Sequence, residues 1–97
     1  MDARLVTLTA KPGGADALAA FWDDAVVEQI TAQSGSRGFY LLTDAAKDQV
    51  VLVSLWDSAA DADATGPTYL SHMAAVAERL DAPPSPAGMH VAVATTR

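Results

Sequence analysis

The sequence contains no cysteine and no asparagine, has only 6% aromatic residues, and lacks a long apolar run. Without cysteine, the chain forms no disulfide, no thiolate metal site and no thiol nucleophile. None of its apolar runs approaches the roughly 20 residues that a helix needs to cross a bilayer. These absences leave a folded domain whose chemistry must come from oxygen and nitrogen side chains.

Basic residues are also scarce, with six Lys and Arg against twelve Asp and Glu and a formal charge of -6. The few bases form no cluster, so the protein should repel both phosphate backbones and anionic lipid. We therefore expect no binding to nucleic acid or to a membrane surface. No signal-peptide-like apolar stretch follows Met1, which favours a cytoplasmic location.

What the sequence does have is a globular composition, with 51% apolar and 19% charged residues over 97 positions. A chain of this length and composition predicts one folded domain over residues 1–97. A disordered chain would have fewer apolar residues and more charge.

The residue patterns predict four strands and two helical regions. Strands are expected at Ala3–Ala10, Gly38–Thr43, Gln49–Trp56 and Gly88–Thr96. An apolar stripe at helical spacing runs from Ala15 to Ile30, a short helix covers Ala59–Ala64 after Ser58, and a further helix follows Pro67. Pro83–Pro86 is expected to be a stiff connector. The order β-α-β-β-α-β predicts an α+β, ferredoxin-like fold with a four-stranded antiparallel sheet.

The third predicted strand is apolar on both faces, which has a consequence for assembly. Val50, Leu52 and Trp56 should point to one side, and Val51, Val53 and Leu55 to the other. The helices can cover only one side. Covering about 500 Å² of bare apolar sheet at ~25 cal/mol per Å² is worth on the order of 12 kcal/mol before association costs. We therefore expect a homodimer formed through the open sheet face.

The middle of the chain resembles the antibiotic biosynthesis monooxygenase-like family. The resemblance rests first on Gly35–Leu42, where glycine precedes a strand with aromatic residues. It rests also on Val50–Ser58, a hydrophobic strand that ends in Trp-Asp-Ser, and on the Asp61-Ala62 that follows. It implies a dimeric α+β barrel with a pocket between sheet and helices for a flat aromatic molecule. Some members of the family are cofactor-independent monooxygenases acting on phenols or quinols, and others degrade haem.

The haem-degrading branch makes a separate comparison possible. That branch uses an Asn on the first strand, a Trp in the short helix and a His in the next helix. This sequence has no Asn and no Trp in Ala59–Ala64, and only His72 lies near the expected His. The resemblance therefore argues against haem cleavage by that triad, and we expect no metal or flavin cofactor.

Two residues are the predicted catalytic candidates, and a third is a polar anchor. His72 is predicted as the proton acceptor, because imidazole exchanges protons readily near neutral pH. Tyr69 and Tyr40 each offer a phenol that can hold a substrate oxygen. The alternative for each is structural: His72 lies on the flank of its helical stripe and could simply face water, and the tyrosines could reach solvent.

Three further residues are predicted to bind substrate. Trp56 and Trp22 would form the apolar walls of the pocket, and Arg37, in the turn before the second strand, would hold an anionic substituent. The structural alternatives are two core tryptophans and a solvated arginine.

Two classes of function follow from these candidates. One is a small oxygenase that binds a planar phenolic or quinol substrate in an apolar pocket. The other is a non-catalytic dimer that binds a small aromatic ligand or serves only in assembly. Residual haem binding through His72 is a third possibility.

Overall fold

A computed structural model describes residues 1–92 of the chain. Within them, four strands form one antiparallel sheet in the order β2-β3-β1-β4: Asp2–Thr9 (β1), Ser36–Asp44 (β2), Gln49–Trp56 (β3) and Ser85–His90 (β4). The helices are Ala15–Ala25 (α1), Val27–Thr31 (α2), Ala59–Asp63 (α3) and Gly66–Val76 (α4). This arrangement confirms the predicted ferredoxin-like α+β fold. None of the helices in the described part is long and apolar enough to cross a membrane.

The first helical region differs from its prediction because it is interrupted at Val26. The sequence pattern predicts one helix from Ala15 to Ile30, whereas Val26 has φ −121° and ends α1. Two adjacent β-branched residues, Val26 and Val27, weaken the helix at this point. The stripe is kept nevertheless, since the side chains of Trp22, Val26 and Ile30 are all fully buried.

The last strand begins earlier than predicted. Ser85 and Pro86 belong to β4, so the stiff connector is shorter than expected, and β4 ends at His90. Pro86 pairs with Val6 across the ladder. A proline lacks the N–H that a central strand needs, but β4 is an edge strand, where proline is tolerated. The end of the predicted strand, residues 93–96, lies outside the described residues.

Strand β3 has two apolar faces, as its sequence predicts. Val50, Leu52 and Trp56 are fully buried beneath the helices. The opposite face begins at the β2–β3 turn with the row Asp44-Gln49-Thr9, which includes the charged Asp44, and continues with three cross-strand rows on which no residue is charged. The rows are Leu42-Val51-Thr7-Ser85, Tyr40-Val53-Leu5-Ala87 and Gly38-Leu55-Ala3-Met89. We call these twelve residues the open face.

The open face is apolar and largely uncovered within the described chain. Tyr40, Leu42 and Met89 expose 58%, 51% and 60% of their surfaces. Val51, Val53 and Leu55 are half-buried. Such a large apolar patch is rare on a monomer and is typical of a surface that another molecule covers.

Short helix α3 is capped by Ser58. Its Oγ accepts a hydrogen bond from the Asp61 N–H at 3.2 Å, and its hydroxyl donates to Asp61 Oδ2 at 3.0 Å. This arrangement resembles a capping box with Asp61 in place of glutamate, except that the Asp61 carboxylate accepts from the Ser58 hydroxyl and not from the Ser58 backbone N–H. This pair of bonds fixes the Asp61 side chain beside Gly35.

Gly35 should be the least replaceable glycine of the fold. Its φ is +83°, and an added Cβ would lie 2.4 Å from the Asp61 carboxylate. We expect Gly35→Ala to lower the free energy of unfolding by about 1–3 kcal/mol in urea denaturation. Gly66→Ala is the matched control, because nothing lies within 4 Å of the added Cβ. Equal stability of the two variants would contradict the assigned role of Gly35.

Candidate functional site

A cleft of about 500 Å³ lies between the β1–β4 edge of the sheet and helices α3 and α4. This volume is in the range of sites that hold small organic molecules. The lining is mainly apolar, and its polar members are an arginine, an aspartate, a threonine and a tyrosine. The residues are Arg4, Leu5, Val6, Ala62, Asp63, Thr65, Gly66, Tyr69, Leu70, Pro86, Ala87 and Gly88.

The corner between α3 and α4 shapes one wall of the cleft. Thr65 is buried there, and its hydroxyl donates to the Ala62 carbonyl at 2.6 Å. Pro67 follows in the first turn of α4, where its missing N–H costs no helical hydrogen bond. The corner is thus held by local bonds, and it places Tyr69 on the cleft side of α4.

Tyr69 joins the cleft to the core. Its ring packs on Trp22 with 5.9 Å between centroids, and its hydroxyl donates to Ser54 Oγ at 3.5 Å. Ser54 is fully buried on β3. Burial of the phenol raises the pKa of Tyr69 above its ordinary value, an effect that the hydrogen bond to Ser54 partly opposes. Tyr69 is therefore a neutral hydrogen-bond donor throughout the physiological pH range.

The raised pKa of Tyr69 predicts a loss of stability at high pH. The unfolded chain releases the tyrosine proton near pH 10, whereas the folded chain retains it to a higher pH. The stabilisation is therefore complete below pH 10 and falls as the pH rises through the folded pKa. Urea denaturation between pH 8 and 11 should show a steeper alkaline decline for wild type than for Tyr69→Phe. Identical slopes would contradict the shift.

An aromatic cluster stands behind Tyr69. The Trp22 ring is fully buried and contacts Phe21, Tyr69 and His72 at centroid distances of 5.9, 5.9 and 6.5 Å. The His72 Nε2 lies 3.2 Å from Gln29 Oε1 on α2. His72 therefore packs between the helices, close to Tyr69 in sequence but outside the cleft lining.

The other predicted site residues lie apart from the cleft. Trp56 is fully buried at the end of β3, and Tyr40 is on the open face, on the other side of the sheet. Arg37 pairs with Asp57 at the sheet end, and that hydrogen bond and charge raise the pKa of Arg37. Of the six predicted residues, the structure places Tyr69 in the cleft lining and Trp22 against the Tyr69 ring, whereas His72 contacts Trp22 from outside the lining.

Arg4 and Asp63 are cleft residues that the sequence interpretation did not select. Arg4 Nη2 lies 2.5 Å from Asp63 Oδ1, which forms an ion pair in the lining. The sequence does contain a sign of this position. Side chains alternate between the two faces of a strand, so Arg4 lies on the same face of β1 as Val6 and Leu8, which is the core face. A charge at such a position is more informative than a charge on a solvated face.

The described residues contain no group of three or more His, Cys, Asp or Glu side chains arranged to hold a metal ion. Apart from Thr65, whose hydroxyl donates to the Ala62 carbonyl, the polar groups available to a ligand in the cleft are the Tyr69 phenol, the Arg4–Asp63 pair and nearby backbone. This set can orient an oxygen-bearing aromatic molecule by hydrogen bonds and charge.

Solved structures with the same fold include three informative cases. Rv0793 from Mycobacterium tuberculosis is 25% identical, with a TM-score of 0.79 and 98% of each chain covered. The monooxygenase ActVA-Orf6 of Streptomyces coelicolor, in complex with nanaomycin D, is 17% identical, with a TM-score of 0.78 over 99% of this chain and 91% of that one. A mutant of MhuD with two manganese protoporphyrin IX molecules bound per active site is 17% identical, with a TM-score of 0.77 and full coverage of both chains.

Comparison with curated proteins returned no match. The family model described as antibiotic biosynthesis monooxygenase, in contrast, matches residues 1–65. The match includes β1, α1, β2 and β3 and ends at the α3–α4 corner. Because it spans more than half of the sequence and agrees with the observed fold, this chain belongs to the antibiotic biosynthesis monooxygenase family.

Proposed function

We propose that the protein is a cofactor-independent monooxygenase that acts on a small planar phenol or quinol bound in the cleft. The observation that carries this proposal is the cleft itself, a mainly apolar space of about 500 Å³ with a half-buried phenol in its wall. Family membership supports it, as does the fold shared with a monooxygenase that binds nanaomycin D.

The reaction class requires no external reductant, because the substrate itself supplies the electrons. A phenol with a free ring C–H para to its hydroxyl reacts with O₂ to give a quinone and water. One oxygen atom becomes the new carbonyl and the other leaves as water. The ring C–H and the phenolic O–H supply the two hydrogens of that water, so atoms and electrons balance.

Tyr69 has the clearest part in this proposal. Its neutral hydroxyl would exchange the long 3.5 Å bond to Ser54 for a hydrogen bond to the substrate phenolate. That bond would stabilise the negative charge of the phenolate, which must form before O₂ reacts with the ring. Trp22 supports the Tyr69 ring from behind and keeps water away from it. The apolar lining would hold the ring plane.

His72 remains the predicted proton acceptor, and its position allows this role to be tested by a single substitution. Its imidazole packs on Trp22 and contacts Gln29, outside the cleft lining. If it accepts the substrate proton, His72→Ala should lower turnover. Unchanged turnover would mean that the proton leaves directly to solvent at the cleft mouth, and the role of His72 would be wrong.

Oxygen uptake tests the proposed activity directly. Purified protein is mixed with dihydroxynaphthalenes and anthrones in an oxygen electrode, and the products are identified by mass spectrometry with ¹⁸O₂. The proposal expects uptake above the uncatalysed rate and one labelled oxygen atom in the quinone. Uptake equal to the background with every substrate would overturn it.

A non-catalytic binding function is the second candidate, favoured by the small number of polar groups in the cleft. Within the described lining, Tyr69 and Thr65 accompany the Arg4–Asp63 pair, and the rest is apolar. If this function is correct, an aromatic ligand raises the melting temperature and is recovered unchanged. Conversion of the ligand under the same conditions would exclude it.

We also propose that the functional unit is a homodimer formed through the open face. Twelve uncharged residues in three rows, including half-exposed Tyr40 and Leu42, support this assembly. The two copies would bury their sheets against each other while each keeps its own cleft on the helix side.

A further inference from the structure

Arg4 occupies an unusual position for a charged residue. It lies on the core side of β1, in line with Val6 and Leu8, and its side chain is 31% exposed. A guanidinium withdrawn from water loses hydration that only hydrogen-bond acceptors can replace. The acceptors around it therefore show whether the arginine is structurally satisfied or is open to a ligand.

The hydrogen bonds of Arg4 involve one of its three nitrogens. Nη2 pairs with Asp63 Oδ1 at 2.5 Å and lies 3.5 Å from the Ala59 carbonyl. The Nε is buried, and among the described residues it has no hydrogen-bond partner. A buried donor without an acceptor costs about 1–3 kcal/mol. An incoming acceptor would recover that cost.

The absence of a side chain at Gly88 leaves space on β4 for the guanidinium of Arg4. A Cβ at residue 88 would lie 2.6 Å from Nη1 and 3.2 Å from Cζ of Arg4. The two residues are direct partners across the β1–β4 ladder. The glycine therefore leaves room for the guanidinium at the boundary between the main cleft and a smaller pocket of about 210 Å³, both of which Arg4 lines.

The counter-ion of Arg4 is loosely held. The Asp63 side chain is 70% exposed, so water screens its charge and the side chain can turn away. An arginine can bind a carboxylate through two parallel N–H bonds, whereas Asp63 engages one nitrogen. The cleft thus combines an apolar floor with an incompletely used anion-binding group.

We infer that Arg4 is a specificity residue that binds the carboxylate of a planar aromatic carboxylate ligand. The inference rests on the proposed function in taking the cleft as the ligand site, but it concerns binding and not oxidation. When the exposed Asp63 side chain turns away, the carboxylate would take its place on Nη2 and reach the otherwise buried Nε, while the ring lies against Val6, Leu70 and the Tyr69 ring.

The test is a matched pair of ligands measured by anaerobic titration calorimetry at pH 7. 1-Hydroxy-2-naphthoate carries the carboxylate, and 1-naphthol lacks it. Wild type should bind the naphthoate at least about tenfold more tightly, as expected for a charge-assisted hydrogen bond. Arg4→Gln should abolish this preference and leave naphthol affinity within about twofold.

Two further variants test the mechanism without deleting the arginine. Asp63→Asn should strengthen naphthoate binding severalfold, because a competing negative charge is removed from the arginine. Gly88→Ala should weaken naphthoate binding more than naphthol binding, since the new Cβ displaces Nη1. Arg79→Gln, an exposed arginine outside the cleft, is the control and should change neither affinity.

Several results would overturn the inference: no naphthoate binding to wild type, a preference that persists in Arg4→Gln, or a preference that Arg37→Gln abolishes instead. Failure of the proposed activity has a different signature. In that case the Arg4-dependent preference is present, but neither naphthoate nor naphthol consumes oxygen.

Discussion

Replacing Val53 by aspartate is expected to convert a dimer into a monomer. Val53 lies in the central row of the open face, between Leu5 and Tyr40. In a sheet-to-sheet dimer the new carboxylate would be buried without a partner, which costs several kcal/mol in each subunit. In a monomer the same carboxylate would reach water, because Val53 is only half-buried there.

Sedimentation equilibrium at micromolar concentration measures this change. Wild type should have twice the chain mass, and Val53→Asp the mass of one chain. Leu42→Asp, at a residue 51% exposed in the described chain, should act in the same way with less effect on folding. Ala20→Asp adds the same charge to an exposed position of α1 and should stay dimeric. A monomeric wild type, or a dimeric Val53→Asp, would contradict assembly through this face.

Removing the Tyr69 hydroxyl should have the largest effect on turnover. If this phenol stabilises the substrate phenolate, Tyr69→Phe should lower kcat/KM for oxygen consumption by about 10²-fold, as for loss of one donor in an oxyanion site. The ring and its contact with Trp22 are kept, so the aromatic cluster remains. Most of the loss should be in kcat, since the charge is greatest in the transition state.

The control for this variant removes a hydroxyl from the same helix. Ser71 is exposed, and its hydroxyl bonds only to the Thr68 carbonyl within the described chain, so Ser71→Ala should keep wild-type turnover. Urea denaturation at pH 7 shows whether Tyr69→Phe stays folded. A folded Tyr69→Phe with turnover within twofold of wild type would remove Tyr69 from the mechanism.

Much of the fold was predictable because local patterns determine it. Strand β3 has the predicted bounds Gln49–Trp56, since its apolar run is delimited by polar residues on both sides. The break at Val26 was missed because a continuous apolar stripe conceals a local loss of helix geometry. The start of β4 at Ser85 was missed because proline argues against a strand, and only the strand order shows that β4 is at an edge.

The candidate site was less predictable, because its walls come from distant parts of the chain. Tyr69 could be selected as a phenol, but its contacts with Trp22 and Ser54 depend on how α4 packs on the sheet. Tyr40 has the same chemistry and lies on the other side of the sheet, as its strand register requires. Arg4 does not stand out in the sequence, because arginine side chains are usually solvated and the β1–β4 pairing that encloses this one is a tertiary feature.

Every proposal above except the homodimer requires that a ligand binds in the cleft between the β1–β4 edge and α3–α4. Amide chemical-shift mapping by NMR, during titration with 1-hydroxy-2-naphthoate, tests it most directly. We expect the largest shifts at cleft residues such as Thr65, Gly66, Leu70 and Gly88. Shifts confined to Tyr40, Leu42 and Val51 on the open face, or none at millimolar ligand, would contradict it.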